Sequence, residues 1–237
     1  MINPQPPANI DPLVRWRLIL RAAVAEGDAT VWSEFNSGVA GSHGSPRRVA
    51  VSVLAALHGT ADPAIALDAD LAILDALPLP AARGSEVVAA VWTAYLNASR
   101  GDSGAADQLD RATARLSPTA LLAGADDNPE PWWAAELMIL HAMRSHAWRR
   151  PNAASEAAIT RCVAFHLAEI QPDHATNDPW AIHAFAATDA GKLTAETLLH
   201  AAMVQGAGVL TPAARLIVID ALHAIEAGAA GRATADF

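Results

Sequence analysis

The segment TPAARLIVIDALHAI, residues 211–225, shows in one place the pattern that decides the fold. Thr211 precedes Pro212, and a run with apolar residues three and four apart follows. Proline fits the first position of a helix because its missing N–H would have no helical partner there. A threonine, serine or aspartate before the proline accepts hydrogen bonds from the next free N–H groups. The segment therefore predicts a helix that begins at Pro212.

The same pairing of a capping residue with proline recurs along the chain. The other sites are Asp11-Pro12, Ser45-Pro46, Asp62-Pro63, Ser117-Pro118 and Asp178-Pro179, with Glu130-Pro131 and Arg150-Pro151 as weaker versions. An alanine-rich run with helical spacing follows nearly every site. Since proline inside β-strands removes hydrogen bonds from a sheet, the sequence predicts an all-α protein.

The capping pattern also predicts how many helices there are and how they connect. We expect eleven helices that begin near Pro12, Pro46, Pro63, Ser85, Ala105, Pro118, Pro131, Ala153, Pro179, Thr194 and Pro212. Residues 30–37 would add a short twelfth helix. Connections such as residues 59–61 and 206–208 are short, so consecutive helices are expected to pack as antiparallel hairpins.

The composition changes nowhere along the chain in a way that would mark a domain boundary. We therefore expect a single helical domain over residues 11–228, between a flexible N-terminal segment, residues 1–10, and a flexible C-terminal tail, residues 229–237.

Composition and charge exclude several classes of protein. Of the 237 residues, 52% are hydrophobic and only 17% are charged, which excludes a disordered chain. Lysine and arginine number 16 and the acidic residues 25, so the net charge is −9. Because such a surface repels a phosphate backbone, we expect no nucleic-acid partner.

The sequence also bears on where the protein resides. Its single cysteine, Cys162, cannot form an internal disulfide, which fits a reducing compartment. Residues 1–7 lack the basic start and apolar core of a secretory signal. The longest apolar stretch, residues 87–96, is about half of the roughly 20 residues that span a bilayer. We expect a cytoplasmic protein without membrane insertion.

Two stretches of the chain form an approximate repeat. Residues 128–133 (NPEPWW) and 177–180 (NDPW) each combine asparagine, an acidic residue, proline and tryptophan at a predicted helix start. The two tryptophans, Trp132 and Trp180, lie 48 residues apart, which is the length of one helical hairpin. Chance in an alanine-rich, proline-capped chain is the alternative explanation.

This hairpin period, together with residues 171–185 (QPDHATNDPWAIHAF), resembles the helical repeats of the prenyltransferase and terpene-cyclase α/α toroids. The resemblance covers mainly residues 129–226. It implies an array of antiparallel helical hairpins arranged as an α/α toroid or a short α-solenoid.

The catalytic motifs of that family are absent from this sequence. Where a triterpene cyclase carries Asp-x-Asp-Asp, this chain has Asp68-Ala69-Asp70 followed by Leu71. Where a protein prenyltransferase holds zinc partly through Asp-x-Cys, this chain has Thr160-Arg161-Cys162. The resemblance therefore extends to the architecture and not to the activity.

Glu136 is the first candidate for a catalytic residue. It lies in the predicted helix from Pro131 to Trp148, which is apolar nearly all round and is expected to be central. A buried carboxylate must be paired, hydrogen-bonded or protonated, because desolvation disfavours its charge. Two interpretations follow: a tuned acid or ligand anchor, or a salt bridge to an arginine.

Asp220 and His223 are the second candidates. They are three residues apart in an apolar segment, so they are neighbours on one helix face. A carboxylate that orients an imidazole is the arrangement that a general base needs. A hydrogen-bonded core pair without catalytic function is the alternative.

A third group of polar and aromatic residues is predicted to bind a ligand. Helix N-termini favour anions, and the two copies of the approximate repeat would place their polar groups and tryptophans around one mouth of the helical array. The residues are Asn128, Glu130, Trp132, His174, Asn177, Asp178, Trp180 and His183. The alternative is that Asn177 or Asp178 only caps a helix and Trp180 packs in the core.

No metal site or cofactor is predicted. The sequence has no His-Glu-x-x-His or paired-thiol spacing, and no Gly-x-Gly-x-x-Gly, Walker or Gly-x-Ser-x-Gly motif. Residues 126–130 (DDNPE) fit the Asp-Asp-x-x-Glu pattern of magnesium sites in terpene synthases. The proline inside the pattern favours an acidic loop instead.

Two functions are consistent with these patterns. The first is a binding or interaction module with a pocket lined by tryptophan, histidine and acidic residues, whose partner is an unknown protein or small molecule. The second is a small enzyme of the α/α-toroid type that uses acid–base chemistry on a small, apolar or terpenoid-like substrate. Exposed apolar faces on terminal helices further predict a homodimer.

Overall fold

The computed structural model describes residues 12–25, 85–114, 129–170, 172 and 176–235. These residues form eight α-helices and one π-helical turn, and no strand occurs among them. The elements are α1 (Pro12–Ala25), α2 (Ser85–Ser99), α3 (Ser103–Ala114), α4 (Pro129–Arg149), α5 (Ala153–Phe165), the π-helical turn (His166–Ile170), α6 (Ile182–Ala186), α7 (Lys192–Gln205) and α8 (Pro212–Ala235). The prediction of an all-α protein is confirmed.

Short polar side chains cap several of the helices. The Oγ1 of Thr211 accepts the N–H of Ala214 at 3.2 Å, as the segment at residues 211–225 predicts. Asn152 Oδ1 accepts the N–H groups of Ala154 and Ser155 at 2.9 and 3.3 Å at the start of α5. Each cap satisfies N–H groups that have no partner within their helix, which stabilises the protein by about 1 kcal/mol.

The predicted helix starts agree closely with the observed ones. Four of them, at Pro12, Ser85, Ala153 and Pro212, are correct to the residue. The starts predicted near Ala105, Pro131 and Thr194 each lie two residues earlier, at Ser103, Pro129 and Lys192.

The predicted total of eleven or twelve helices is not reached in the described part of the chain, which has eight. The helices predicted to begin at Pro46, Pro63 and Pro118, and the short one over residues 30–37, lie outside the described residues. The last helix continues to Ala235, beyond the predicted domain end at residue 228.

The helix start at Pro179 is predicted wrongly. The chain turns at Trp180 and Ala181, and α6 begins only at Ile182. Ala181 has a left-handed backbone with φ +57°, which a residue with a Cβ rarely adopts. Its N–H donates to Nδ1 of His141 at 3.2 Å, so a contact with another helix holds this conformation.

The two copies of the approximate repeat differ in backbone structure. Trp132 lies in the first turn of the 21-residue helix α4. Trp180 lies instead in a turn that precedes the five-residue helix α6. The structure therefore gives no support to a repeated unit or a toroid.

Helix α4 is the centre of the described fold. It packs against α2, α3, α5, α6 and α8, while α1 packs on the outer side against α8. Every residue of α4 from 135 to 148 is buried. The prediction of a central helix that is apolar on nearly all sides is therefore confirmed.

The described helices share one hydrophobic core. It extends from Trp16 in α1, through Leu96 in α2 and Met138 in α4, to Ile225 in α8. None of the helices in the described ranges is long and apolar enough to cross a membrane.

Helix α8 packs closely against α4 at Gly228. A Cβ atom built at this glycine would lie 3.0 Å from Cγ of Trp148. Changing Gly228 to leucine is expected to lower the free energy of unfolding by about 2 kcal/mol because the added side chain overpacks this contact. The half-buried neighbour Ala227, changed to leucine, is the control. Denaturant unfolding of both variants tests the contact, and equal losses of stability would contradict it.

Candidate functional site

The carboxylate of Asp220 lies at the centre of a buried polar network. Asp220 belongs to α8 and is only 2% exposed. The hydroxyl of Tyr95, from α2, lies 2.7 Å from both carboxylate oxygens. Three side chains of α4 complete the shell: His141 Nε2 at 2.9 Å, Ser145 Oγ at 3.1 Å and Arg149 Nη2 at 2.9 Å. Four side chains from two helices thus donate to one carboxylate.

The spacing of the α4 residues explains how they reach the same carboxylate. His141, Ser145 and Arg149 follow one another at intervals of four residues, so they lie on one face of the helix. That face meets Asp220 where α8 packs against α4.

The charges within this network are balanced. Burial acts to raise the pKa of Asp220, but the charge of Arg149 and the hydrogen bonds from its neighbours hold that pKa well below its ordinary value. Burial raises the pKa of Tyr95, and the adjacent Asp220 carboxylate raises it further. Arg149 also donates to the Tyr95 oxygen. The network thus pairs one anion with one cation, and Tyr95 keeps its proton.

The hydrogen bonds determine which nitrogen of His141 carries the proton. Nδ1 accepts the backbone N–H of Ala181 at 3.2 Å, so it carries no hydrogen. Nε2 must then carry the hydrogen that it donates to Asp220. Both ring nitrogens of His141 are therefore occupied.

Ser145 connects Asp220 to a second histidine. Its hydroxyl donates to Asp220, and its Oγ lies 3.0 Å from Nε2 of His183. Because a serine has one hydroxyl hydrogen, His183 must donate to Ser145. In a nucleophilic triad the histidine stands between serine and aspartate and accepts the serine proton. Here the serine stands between the other two, so the arrangement is not such a triad.

Three tryptophans enclose the two histidines. The Trp180 ring lies edge-on to His141 with centroids 5.4 Å apart, and the Trp92 ring lies 5.6 Å from Trp180. Trp148 covers His183 at 5.4 Å. All three tryptophans are buried. The network is therefore shielded from water on the side of these rings.

The structure brings together three of the predicted site residues. Asp220 and His183 both contact Ser145, and Trp180 packs on His141. The imidazole bonded to Asp220 belongs to His141, whereas the sequence paired Asp220 with His223. His223 lies half-buried further along α8.

Glu136 belongs to a separate buried pair. One of its carboxylate oxygens lies 3.3 Å from Nε2 of His166, and both side chains are fully buried. The described neighbour of this carboxylate is therefore a histidine, and the salt bridge to an arginine stays a prediction. Nearby, burial and the charge of Glu136 raise the pKa of the Cys162 thiol to about 11, so this thiol is a poor nucleophile at neutral pH.

The remaining predicted ligand-binding residues are spread over the fold or lie outside the description. Trp132 is buried at the start of α4, Asn177 is exposed and Asp178 is half-buried, with a pKa raised by burial. Asn128, His174 and the side chain of Glu130 lie outside the described residues.

A surface groove lies apart from the buried network, between α2 and α3. It has a volume of about 600 Å³. Its lining consists of alanines and small polar residues: Ala89, Ala90, Thr93, Ala94, Asn97, Asp102, Gly104, Ala105 and Gln108. None of these residues was predicted from the sequence as a site residue.

Comparisons with known proteins identify no family for this chain. No protein-family model, curated protein or solved structure matches the chain. Within the described ranges, no three histidine, cysteine, aspartate or glutamate side chains come together to hold a metal ion. The resemblance to α/α toroids stays a prediction.

Changing Asp220 to asparagine tests whether the network stabilises the fold. The variant leaves Arg149, whose side chain is 19% exposed, without its counterion. Because the other partner of the pair is buried, we expect the free energy of unfolding to fall by about 3 kcal/mol. Asp107, exposed and paired with Arg150, provides the control because its change to asparagine also removes one negative charge. Denaturant unfolding measures both variants. A loss at Asp220 no larger than that at Asp107 would show that the network contributes little.

The neutral state of His183 predicts a dependence of stability on pH. Burial, together with the nearby His141, holds the pKa of His183 well below its ordinary value. The unfolded chain then binds a proton that the folded chain does not, so stability falls as pH drops below about 6.5, by up to about 1.4 kcal/mol per pH unit.

Changing His183 to glutamine should remove the contribution of about one bound proton from this slope of stability against pH. A smaller contribution from His146 should remain, because burial also lowers the pKa of His146. The exposed His200, changed to glutamine, is the control. Unfolding free energies measured between pH 5 and pH 7 distinguish the two variants. Identical slopes for wild type and the His183 variant would contradict the assignment.

Proposed function

We propose that this protein is a non-catalytic binding module and that the groove between α2 and α3 is its binding surface. The observation that carries the proposal is the groove itself, with a volume of about 600 Å³. Sites for small molecules in proteins generally have volumes of about 300–1,000 Å³. The groove combines methyl groups with hydroxyl, amide and carboxylate groups, the mixture that binds and orients a ligand.

The buried network supports this proposal through helix α2. Tyr95 is directed to the core, where it donates to Asp220. Thr93 and Ala90 lie on the exposed side of the same helix and line the groove. Because Tyr95 fixes α2 against α4 and α8, the groove has a rigid wall.

The saturation of the polar groups favours binding over the enzyme alternative. Asp220 already accepts from four side chains, and both nitrogens of His141 are occupied. A general base must reach the proton that it abstracts, whereas these groups are at most 2% exposed. The network is better explained as a structural element that holds the helices in register.

We further propose that the protein is cytoplasmic, that its helices form an array of antiparallel hairpins and that it forms a homodimer. Leu18 in α1 and Leu193 in α7, which are 63% and 73% exposed, support self-association. Light scattering that finds a monomer at high protein concentration would remove the homodimer.

A filled groove tests the proposed function. Changing Ala90 to phenylalanine places a large side chain in the groove, whereas changing the exposed Ala164 to phenylalanine in α5 adds the same group elsewhere. Compounds are first selected by their stabilisation of the wild-type chain, which amounts to about 2.7 kcal/mol at 100 times the dissociation constant. We expect the Ala90 variant to lose this stabilisation and the Ala164 variant to keep it. If no compound stabilises the wild type, or both variants respond equally, the proposal fails.

A further inference from the structure

We infer that the groove takes a small molecule with an ammonium group and a short aliphatic body, and that Asp102 anchors the ammonium group. This inference rests on the proposed function and specifies its ligand class. It depends on the charge of the groove, on the free hydrogen-bonding capacity of Asp102 and on the kind of apolar surface beside it.

The one formal charge among the described residues that line the groove is negative. Among its described lining residues Asp102 alone is ionisable. The nearby Arg100 does not itself line the groove, but it donates through Nη1 to Oδ1 of the lining residue Asn97 at 3.5 Å, so one cation lies at the groove edge. The whole chain carries a net charge of −9, which attracts cations over a longer range. A cationic ligand therefore matches Asp102 and the net charge of the whole chain.

Asp102 has hydrogen-bonding capacity left for a ligand. Its Oδ1 accepts the N–H groups of Gly104 and Ala105 at 2.8 and 3.1 Å and so caps α3. Its other oxygen, Oδ2, has no hydrogen-bond or ion-pair partner within the described part of the chain. The cap holds the side chain in place, which leaves Oδ2 as an oriented acceptor.

The remaining lining indicates what the rest of the ligand resembles. Ala89, Ala94 and Ala105 present methyl groups, while Thr93 and Gln108 offer a hydroxyl and an amide. No aromatic ring is among the described lining residues, so these residues offer no ring face to a quaternary ammonium or a planar base. Methyl groups favour a short aliphatic chain, and the hydroxyl and amide oxygens can accept further N–H groups of a primary ammonium.

Three probes of equal length separate charge from apolar contact. Hexylammonium, hexanol and hexanoate each contain six carbon atoms in an unbranched chain and differ in the head group. Their binding to the full chain is followed by changes in amide chemical shifts of α2 and α3. We expect hexylammonium to bind most tightly and hexanoate most weakly.

Changing Asp102 to asparagine removes the charge and keeps the cap, because asparagine is an equally good N-cap residue. We expect the dissociation constant of hexylammonium to rise about threefold, as for an exposed ion pair, with no change for hexanol. Changing Asp107 to asparagine is the matched control, since it removes one negative charge from the same helix outside the groove. It should leave hexylammonium binding unchanged.

The outcomes distinguish this inference from the proposed function. Suppose that the Asp102 and Asp107 variants bind hexylammonium equally well, while Ala90→Phe abolishes hexanol binding. The groove is then a binding site, but our inference that it prefers a cation is wrong. If Ala90→Phe weakens none of the probes, the groove itself is wrong. If no probe shifts the signals of α2 and α3, the assignment of an aliphatic ammonium ligand is overturned.

Discussion

The fold depends on the buried carboxylate of Asp220, whose charge one side chain balances and to which three further side chains donate hydrogen bonds. Asp220 is nearly inaccessible to water, and an isolated charge there would be prohibitively costly. Arg149 supplies the opposite charge, and Tyr95, His141 and Ser145 supply hydrogen bonds. Each donor satisfies a lone pair that water would otherwise have to reach. Because the donors come from α2 and α4 while the carboxylate comes from α8, this interaction fixes three helices relative to one another.

Such a network specifies geometry more than it adds stability. Replacing a buried ion pair by well-packed apolar residues is often neutral, whereas removing one partner is strongly destabilising. The apolar faces of alanine-rich helices could slide past each other with little change in buried area. Hydrogen bonds to fixed oxygens allow only one register. This explains why a helix as apolar as α4 carries histidine, serine and arginine along one face.

The same interaction connects the core to the surface. His141 holds Ala181 in its left-handed conformation, so α6 and the Trp180 turn depend on the network. Tyr95 holds α2, whose other side forms one wall of the groove. Rigid walls reduce the entropy that binding must overcome. A polar core without access for a substrate and an open groove on the outside are together what we expect of a binding protein.

The sequence by itself determined the helical class, most helix starts and the central position of α4, because proline, capping residues and apolar spacing act within a few residues. It also singled out Asp220, because a polar residue in an apolar helix needs a partner, and it placed His183 and Trp180 in a group of polar and aromatic residues. The tertiary structure alone decided which residues contact these side chains. Tyr95 and Asp220 are 125 residues apart, and no local pattern connects them. The start of α6 was missed for the same reason, because the hydrogen bond from Ala181 to His141 overrides the local preference for a helix at Pro179.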